Sequence, residues 1–199
     1  MKRLLILAAA VLLFSTPARA AVIFQDTFDA ENGGVGVLNY TGFSNWTVTN
    51  GSVDLIGNGF FDFQPGNGLY IDMDGSTSNA GLMTVDPIAV GPGNYTFEFD
   101  MAGNWRTTGL EQVQVSVFGA STTYLNFTVQ AGSPNIPFTH LAFSFVVGAP
   151  DLLTFSFEGV GGDNIGLLLD DVQLSVPEPG VMVLLATGLA AVWRRRHAS

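Results

Sequence analysis

Apolar and polar residues alternate along most of this chain, and a period of two restricts it to sheet. In Tyr95-Thr96-Phe97-Glu98-Phe99-Asp100-Met101 every second residue is apolar. Val113-Gln114-Val115-Ser116-Val117 and Leu153-Thr154-Phe155-Ser156-Phe157-Glu158 repeat the pattern. Further strand candidates are Val22–Phe24, Trp46–Thr49, Val53–Ile56, Leu69–Asp72, Leu82–Val85, Leu125–Val129, Leu141–Val147 and Leu167–Leu174. Successive side chains of a strand face opposite ways, so strict alternation means one face in a core and one in water. Turn-forming runs separate the strands, among them Gly57-Asn58-Gly59, Pro65-Gly66-Asn67-Gly68, Gly91-Pro92-Gly93-Asn94 and Gly161-Gly162-Asp163-Asn164. No helical run of useful length lies between them. The expectation is an all-β, antiparallel β-sandwich.

The two ends break this pattern. Met1-Lys2-Arg3 is basic, Leu4–Phe14 apolar, and Ala18-Arg19-Ala20 a small-x-small site before Ala21. That order is a secretory signal peptide, with cleavage by signal peptidase expected between Ala20 and Ala21. At the other end Val176-Pro177-Glu178-Pro179 precedes an uncharged run, Gly180–Trp193, and then Arg194-Arg195-Arg196-His197. As a helix the run is about 21 Å long at 1.5 Å per residue, against a bilayer core of about 30 Å. The prolines stop it from extending backward, and the arginines hold its far end in the cytoplasm. A Pro-Glu-Pro segment, a short span and a basic stop together resemble the PEP-CTERM sorting signal of Gram-negative bacteria. The resemblance implies processing by an exosortase-type membrane enzyme and co-occurrence with exopolysaccharide production. The domain reading is therefore residues 1–20 signal peptide, 21–175 β-sandwich, and 176–199 sorting signal, with a transmembrane helix over 180–193 and a basic tail over 194–197. The protein is expected to be exported, held transiently in the inner membrane, and then delivered to the cell surface or extracellular matrix.

Charge narrows the function of the middle. Of seven Lys and Arg, only Arg106 lies between the two signals, facing sixteen acids. Such a surface repels nucleic acid and anionic lipid, whose binding needs Lys and Arg. It attracts divalent cations, or simply keeps an exported protein soluble. The absence of cysteine removes both disulfides and a thiolate nucleophile.

A second likeness spans most of the middle. Phe24-Gln25-Asp26-Thr27-Phe28-Asp29, Gly42-Phe43-Ser44-Asn45-Trp46, Gly68-Leu69-Tyr70-Ile71-Asp72 and Leu169-Asp170-Asp171-Val172-Gln173-Leu174 occur in the order found in galactose-binding-like jelly rolls. That group is rich in carbohydrate-binding modules. The resemblance implies a structural calcium held near the first and last strands, by Asp29 with Asp26 and by Asp170 or Asp171. Asp170 shares strand parity with Leu168, Val172 and Leu174, which puts it on the inward face, where a carboxylate must be paired, protonated or metal-bound. The competing reading is a strand-end Asp capping a turn in water. Asp72-x-Asp74-Gly75 also looks like a calcium loop but fails the EF-hand spacing, and a polar turn is preferred.

Catalytic signals are sparse. His140 is the sole histidine of the middle region and reads as a hydrogen-bonded edge residue. No Gly-x-Ser-x-Gly, His-x-x-x-His or phosphate-cradling loop is present. Trp46 lies in an alternating run and reads as core. Trp105, in Gly103-Asn104-Trp105-Arg106-Thr107-Thr108-Gly109, sits in a turn-like connection beside the lone Arg. There Trp105 can stack on a sugar ring while Asn104 and Arg106 donate to its hydroxyls. The leading expectation is a non-catalytic structural component of exopolysaccharide matrix or biofilm. A carbohydrate-binding module is the alternative, and a polysaccharide hydrolase acting through a carboxylate pair is the third reading.

Overall fold

Alternating segments pair into two antiparallel sheets in a computed structural model, which describes residues 20–77, 79–106, 110–131 and 136–176. The expected signal peptide with Ala18, and the expected Pro177, Glu178, Pro179, membrane helix, and Arg194, Arg195 and Arg196, lie outside those residues. Ala20 and Ala21 are described, and Ala21 opens the first strand.

The strands are β1 (Ala21–Asp26), β2 (Trp46–Thr49), β3 (Asp54–Gly57), β4 (Leu69–Asp72), β5 (Leu82–Val85), β6 (Ile88–Val90), β7 (Gly93–Ala102), β8 (Glu111–Phe118), β9 (Thr123–Ala131), β10 (Thr139–Val147), β11 (Asp151–Val160) and β12 (Leu168–Val176). One sheet runs β10-β7-β12-β4-β3, with β1 beside β12; the other runs β2-β5-β11-β8-β9, with β6 beside β11. The all-β sandwich is thus as the alternation requires. Only Ile88–Val90 escaped the pattern, because three residues are too few to show a period.

Alternation puts Tyr95, Phe97, Phe99 and Met101 of β7 inside, facing Phe155 and Phe157 of β11. Ring centroids of Phe97 and Phe155 are 4.8 Å apart, and Phe99 meets Phe157 edge-on at 5.1 Å. Trp46 is buried among Phe24, Phe28, Phe155 and Phe157, as its alternating run implies. Aromatic pairs in this geometry add about 0.5–1.5 kcal/mol beyond their area.

The outer faces differ. The β2–β9 sheet turns Thr47, Thr84, Ser156, Gln114 and Thr128 outward, as their registers require. The other sheet is covered on both faces at one end, where all four residues of β3 and of β4 are buried. There Ile56, Tyr70, Ala102 and Leu168 form a second apolar cluster under Phe60, Phe63 and Phe138. Tyr70 anchors the covering loop by donating to Asp62 (3.0 Å) and accepting from the Gln64 amide (2.9 Å).

One expectation from parity is overturned. Asp170 pairs with Asp100, and Gln173 pairs with Glu98, so Asp170 lies on the outer face of its sheet. A bulge between those pairs, with Asp171 at φ 48°, inserts an extra residue and reverses the alternation. Val172 and Leu174 remain inward, but Asp170 does not share their face. It is nonetheless buried, at 5% exposure.

Candidate functional site

Two places carry the expected site residues. At the first, β1 and β12 lie side by side. Asp29 follows β1 directly, and its Oδ1 accepts from the Leu69 amide at 2.9 Å. Gly68 makes this approach possible, since a β-carbon there would stand 1.9 Å from Asp29 Oδ1 and its φ is +77°. Asp170 accepts only a local bond, from the Asp171 amide at 2.8 Å. Burial foremost, and then the charges of Asp171, Asp29 and Asp100, push its carboxyl up to about 8. Asp171 is raised as well, by partial burial and by Asp100 and Asp29. These carboxylates therefore crowd one another, and His140 draws Asp171 back only in part.

Asp26 is held by hydrogen bonds. Its Oδ1 accepts from the Phe28 amide (2.9 Å), and its Oδ2 from Trp46 Nε1 (2.9 Å) and Asn45 Nδ2 (3.1 Å). It fastens β1 to the core tryptophan. Among the described residues no three carboxylate or histidine side chains converge as metal ligands. An ion beside Asp29 and Asp170 would also need backbone carbonyl and water oxygens, which calcium accepts in a shell of six to eight.

On the exposed side of the same sheet, His140 of edge strand β10 contacts Asp100 through Nδ1 at 2.8 Å and Glu98 through Nε2 at 3.7 Å. The Asp100 hydrogen bond is the largest cause of a raised His140 pKa. Gln173 donates to Glu98 at 2.9 Å. This is the edge histidine the sequence implies.

The second place is the Trp105 loop. Trp105 is 49% exposed and held at φ +61°. Asn104 is buried and braces the loop, donating to Gly166 O at 3.0 Å and accepting from the Arg106 amide at 2.8 Å. Arg106 forms an ion pair with buried Asp72 and lies over the Phe63 ring at 4.9 Å. Beside it opens a groove of about 160 Å³, lined by Phe61, Phe63, Asp54, Ser76, Arg106 and Asn164 among others. Phe61 is 54% exposed and, like Trp105, held at positive φ, +45°. Two bulky aromatics in left-handed backbone, each about half exposed, are strained positions. Phe61, Phe63 and Asn164 went unread in the sequence, because Gly57-Asn58-Gly59 and Gly161-Gly162-Asp163-Asn164 look like plain turns. The adjacent pair Phe60-Phe61 within so polar a stretch is the signal that marks them.

Residues 175–196 match the model of the PEP-CTERM protein-sorting motif. The tail is a PEP-CTERM sorting signal. It implies an exported protein processed by an exosortase, anchored in the membrane at its C-terminus beforehand. No described helix is long and apolar enough to cross a membrane. No curated protein matches the chain in sequence.

Solved structures resemble the sandwich. The CBM22-1 xylan-binding domain of Paenibacillus barcinonensis Xyn10C is 11% identical, with a TM-score of 0.54, over 83% of this chain and 100% of that one. The tandem CBM22-1-CBM22-2 of the same protein is 14% identical, with a TM-score of 0.55, over 83% of this chain and 51% of that one. The K3 cleaved adhesin domain of the Porphyromonas gingivalis Lys-gingipain is 15% identical, with a TM-score of 0.50, over 78% and 99%. At such identities the likeness establishes the fold, a carbohydrate-binding-module type of jelly roll.

Proposed function

We propose that this PEP-CTERM protein is a non-catalytic glycan-binding module that attaches to polysaccharide outside the cell. The observation that carries the reading is the groove beside Arg106, lined by exposed Phe61 at positive φ, with exposed Trp105, also at positive φ, next to Arg106 in the chain. Aromatic faces stack on the C–H faces of sugar rings, and Arg106 and Asn164 supply polar groups at the wall. The sandwich neighbours named for xylan binding support the same reading, and so does the sorting signal, whose relatives accompany exopolysaccharide production. A matrix or biofilm component follows if the polysaccharide bound is the host's own. A hydrolase has less support: Glu98 and Asp100, facing carboxylates on the outer side of the sheet, are tied to His140 and Gln173.

Calcium belongs to the proposal as a structural ion. The crowded Asp29 and Asp170 fit it, and the ion would supply the missing positive charge between the first and last strands. Signal peptidase would release the chain at Ala21.

Affinity electrophoresis of the purified protein in gels containing xylan, other soluble polysaccharides or host exopolysaccharide tests the groove. Retardation by at least one polysaccharide, lost in Trp105→Ala and Phe61→Ala, is expected. Retardation unchanged in both variants overturns the site, and no retardation by any polysaccharide overturns the function.

A further inference from the structure

The two ends of the sandwich differ in charge. β12 begins with Leu168 beside Ala102 and runs antiparallel to β7, so it finishes near the start of that strand, past Ser175 beside Thr96. At the same end Val147 of β10 pairs with Gly93, Asp151 of β11 with Val90, and Phe118 of β8 with Thr154. The connections 91–92, 119–122 and 148–150 therefore gather where β12 finishes. Asp151 ties them together. Its Oδ1 accepts from the amides of Ala120 (3.0 Å) and Leu152 (2.8 Å), and its Oδ2 from the Tyr124 hydroxyl (2.8 Å).

This end is nearly free of charge in an acidic protein. The segments 88–97, 113–128 and 142–156 that build it contain one charged residue, Asp151, and both of its oxygens are engaged. Apolar side chains stand out instead. Val146, between buried Phe145 and Val147, is 65% exposed, and Leu152 on the other sheet is 54% exposed; Phe118 is exposed too. Ala89, Val90, Ala120, Pro150 and Leu152 line a groove of about 390 Å³ beside Asp151. Clustered apolar surface of this kind marks a contact face.

Chain length decides what meets it. β12 ends at Val176, and the uncharged run opens at Gly180. Four residue steps reach at most about 14 Å when fully extended, and one headgroup layer is about 5–7 Å thick. While the tail is uncut and anchored, this end of the sandwich stays at the bilayer surface. Carboxylates elsewhere on the protein would be repelled by anionic headgroups, and here that repulsion is missing.

We propose that this end is a lipid-docking face, seated on the headgroups of the anchoring membrane until the tail is cut. Docking holds Pro177, Glu178 and Pro179 at headgroup level for the processing enzyme. It also turns the Arg106 groove, at the Ala102 end of β7, away from the bilayer. The inference rests on the sorting signal and not on the glycan-binding reading.

The chain has no cysteine, so single cysteines can carry a fluorophore. Full-length protein is reconstituted in vesicles of phosphatidylcholine and phosphatidylglycerol that include a lipid with a quencher on its headgroup. The label sits on Ala120→Cys or, at the far end one strand length away (roughly 30 Å at 3.3 Å per residue), on Asp163→Cys. Ala120→Cys should be strongly quenched and Asp163→Cys hardly at all. Val146→Asp combined with Leu152→Asp should remove most of the quenching at Ala120→Cys without lowering the melting temperature, since both positions are exposed. Val146→Ser with Leu152→Ser serves if the aspartate variant melts lower. Equal quenching at the two labels overturns the proposal. So does quenching at Ala120→Cys that survives both double variants, because the tail alone would then be holding the end near the lipid.

Discussion

Arg106 forms an ion pair with Asp72, joining the single basic side chain of the sandwich to a carboxylate at the buried end of β4. Burial pushes the Asp72 carboxyl well up, and Arg106 is the largest influence drawing it back. Gly166 and Asp74 amides donate to its other oxygen, at 3.0 and 3.2 Å. The pair therefore ties β4 to the Trp105 loop and to the turn before β12.

Replacing Arg106 by Ala leaves Asp72 buried without its cation. The expected cost is about 3 kcal/mol, at the low end for a broken buried pair because the guanidinium is partly exposed. Urea unfolding measures it. Adding Asp72→Asn to Arg106→Ala should recover much of the loss; a double variant as weak as the single one would show that packing on Phe63, not charge, carries the effect.

Removing calcium should destabilise the sandwich. An ion bound only by the folded state stabilises by mass action, about 2.7 kcal/mol at a hundredfold excess over its dissociation constant. The melting temperature of the purified protein should fall in chelator, return with calcium, and respond less in Asp170→Asn. A melt indifferent to chelator removes the ion at Asp29 and Asp170.

His140 should titrate above the ordinary histidine value of about 6.5. Its proton is held more tightly folded than unfolded, so the pairing with Asp100 stabilises fully below about pH 6.5 and fades as pH rises through the raised value. The contribution is small because the side chain is 61% exposed. NMR titration of the imidazole should give a raised midpoint that drops in Asp100→Asn. A midpoint at or below 6.5 in the wild type contradicts the pairing.

The two terminal signals predict two processing events. Mature protein from the host should begin at Ala21, and replacing Pro177, Glu178 and Pro179 by Ala should leave it trapped in the inner membrane with its tail uncut. Mass spectrometry of fractionated cells reads both ends. Surface protein that retains Met1, or a triple-Ala variant released without its tail, breaks the respective assignment.

What the sequence determines here is local. The period of two in Tyr95–Met101 and Leu153–Glu158 makes strands and selects which side chains enter the core, because backbone geometry alone sends neighbours to opposite faces. The sorting tail is equally local, since its parts are read in order along the sequence. Pairing between distant strands decided the rest. Asp170 was legible as a buried acid near the first strand, yet its face depended on a bulge at Asp171 that exists only because β12 must register with β7 on both sides of it. Asn104 braces the Trp105 loop through Gly166, sixty-two residues away, a contact that no local spacing announces. Phe61 beside Arg106, and Asp74 against Gly161, became neighbours only when the loops of both sheets met at one end. No spacing along the chain encodes those distances, because they are set by how the sheets pack.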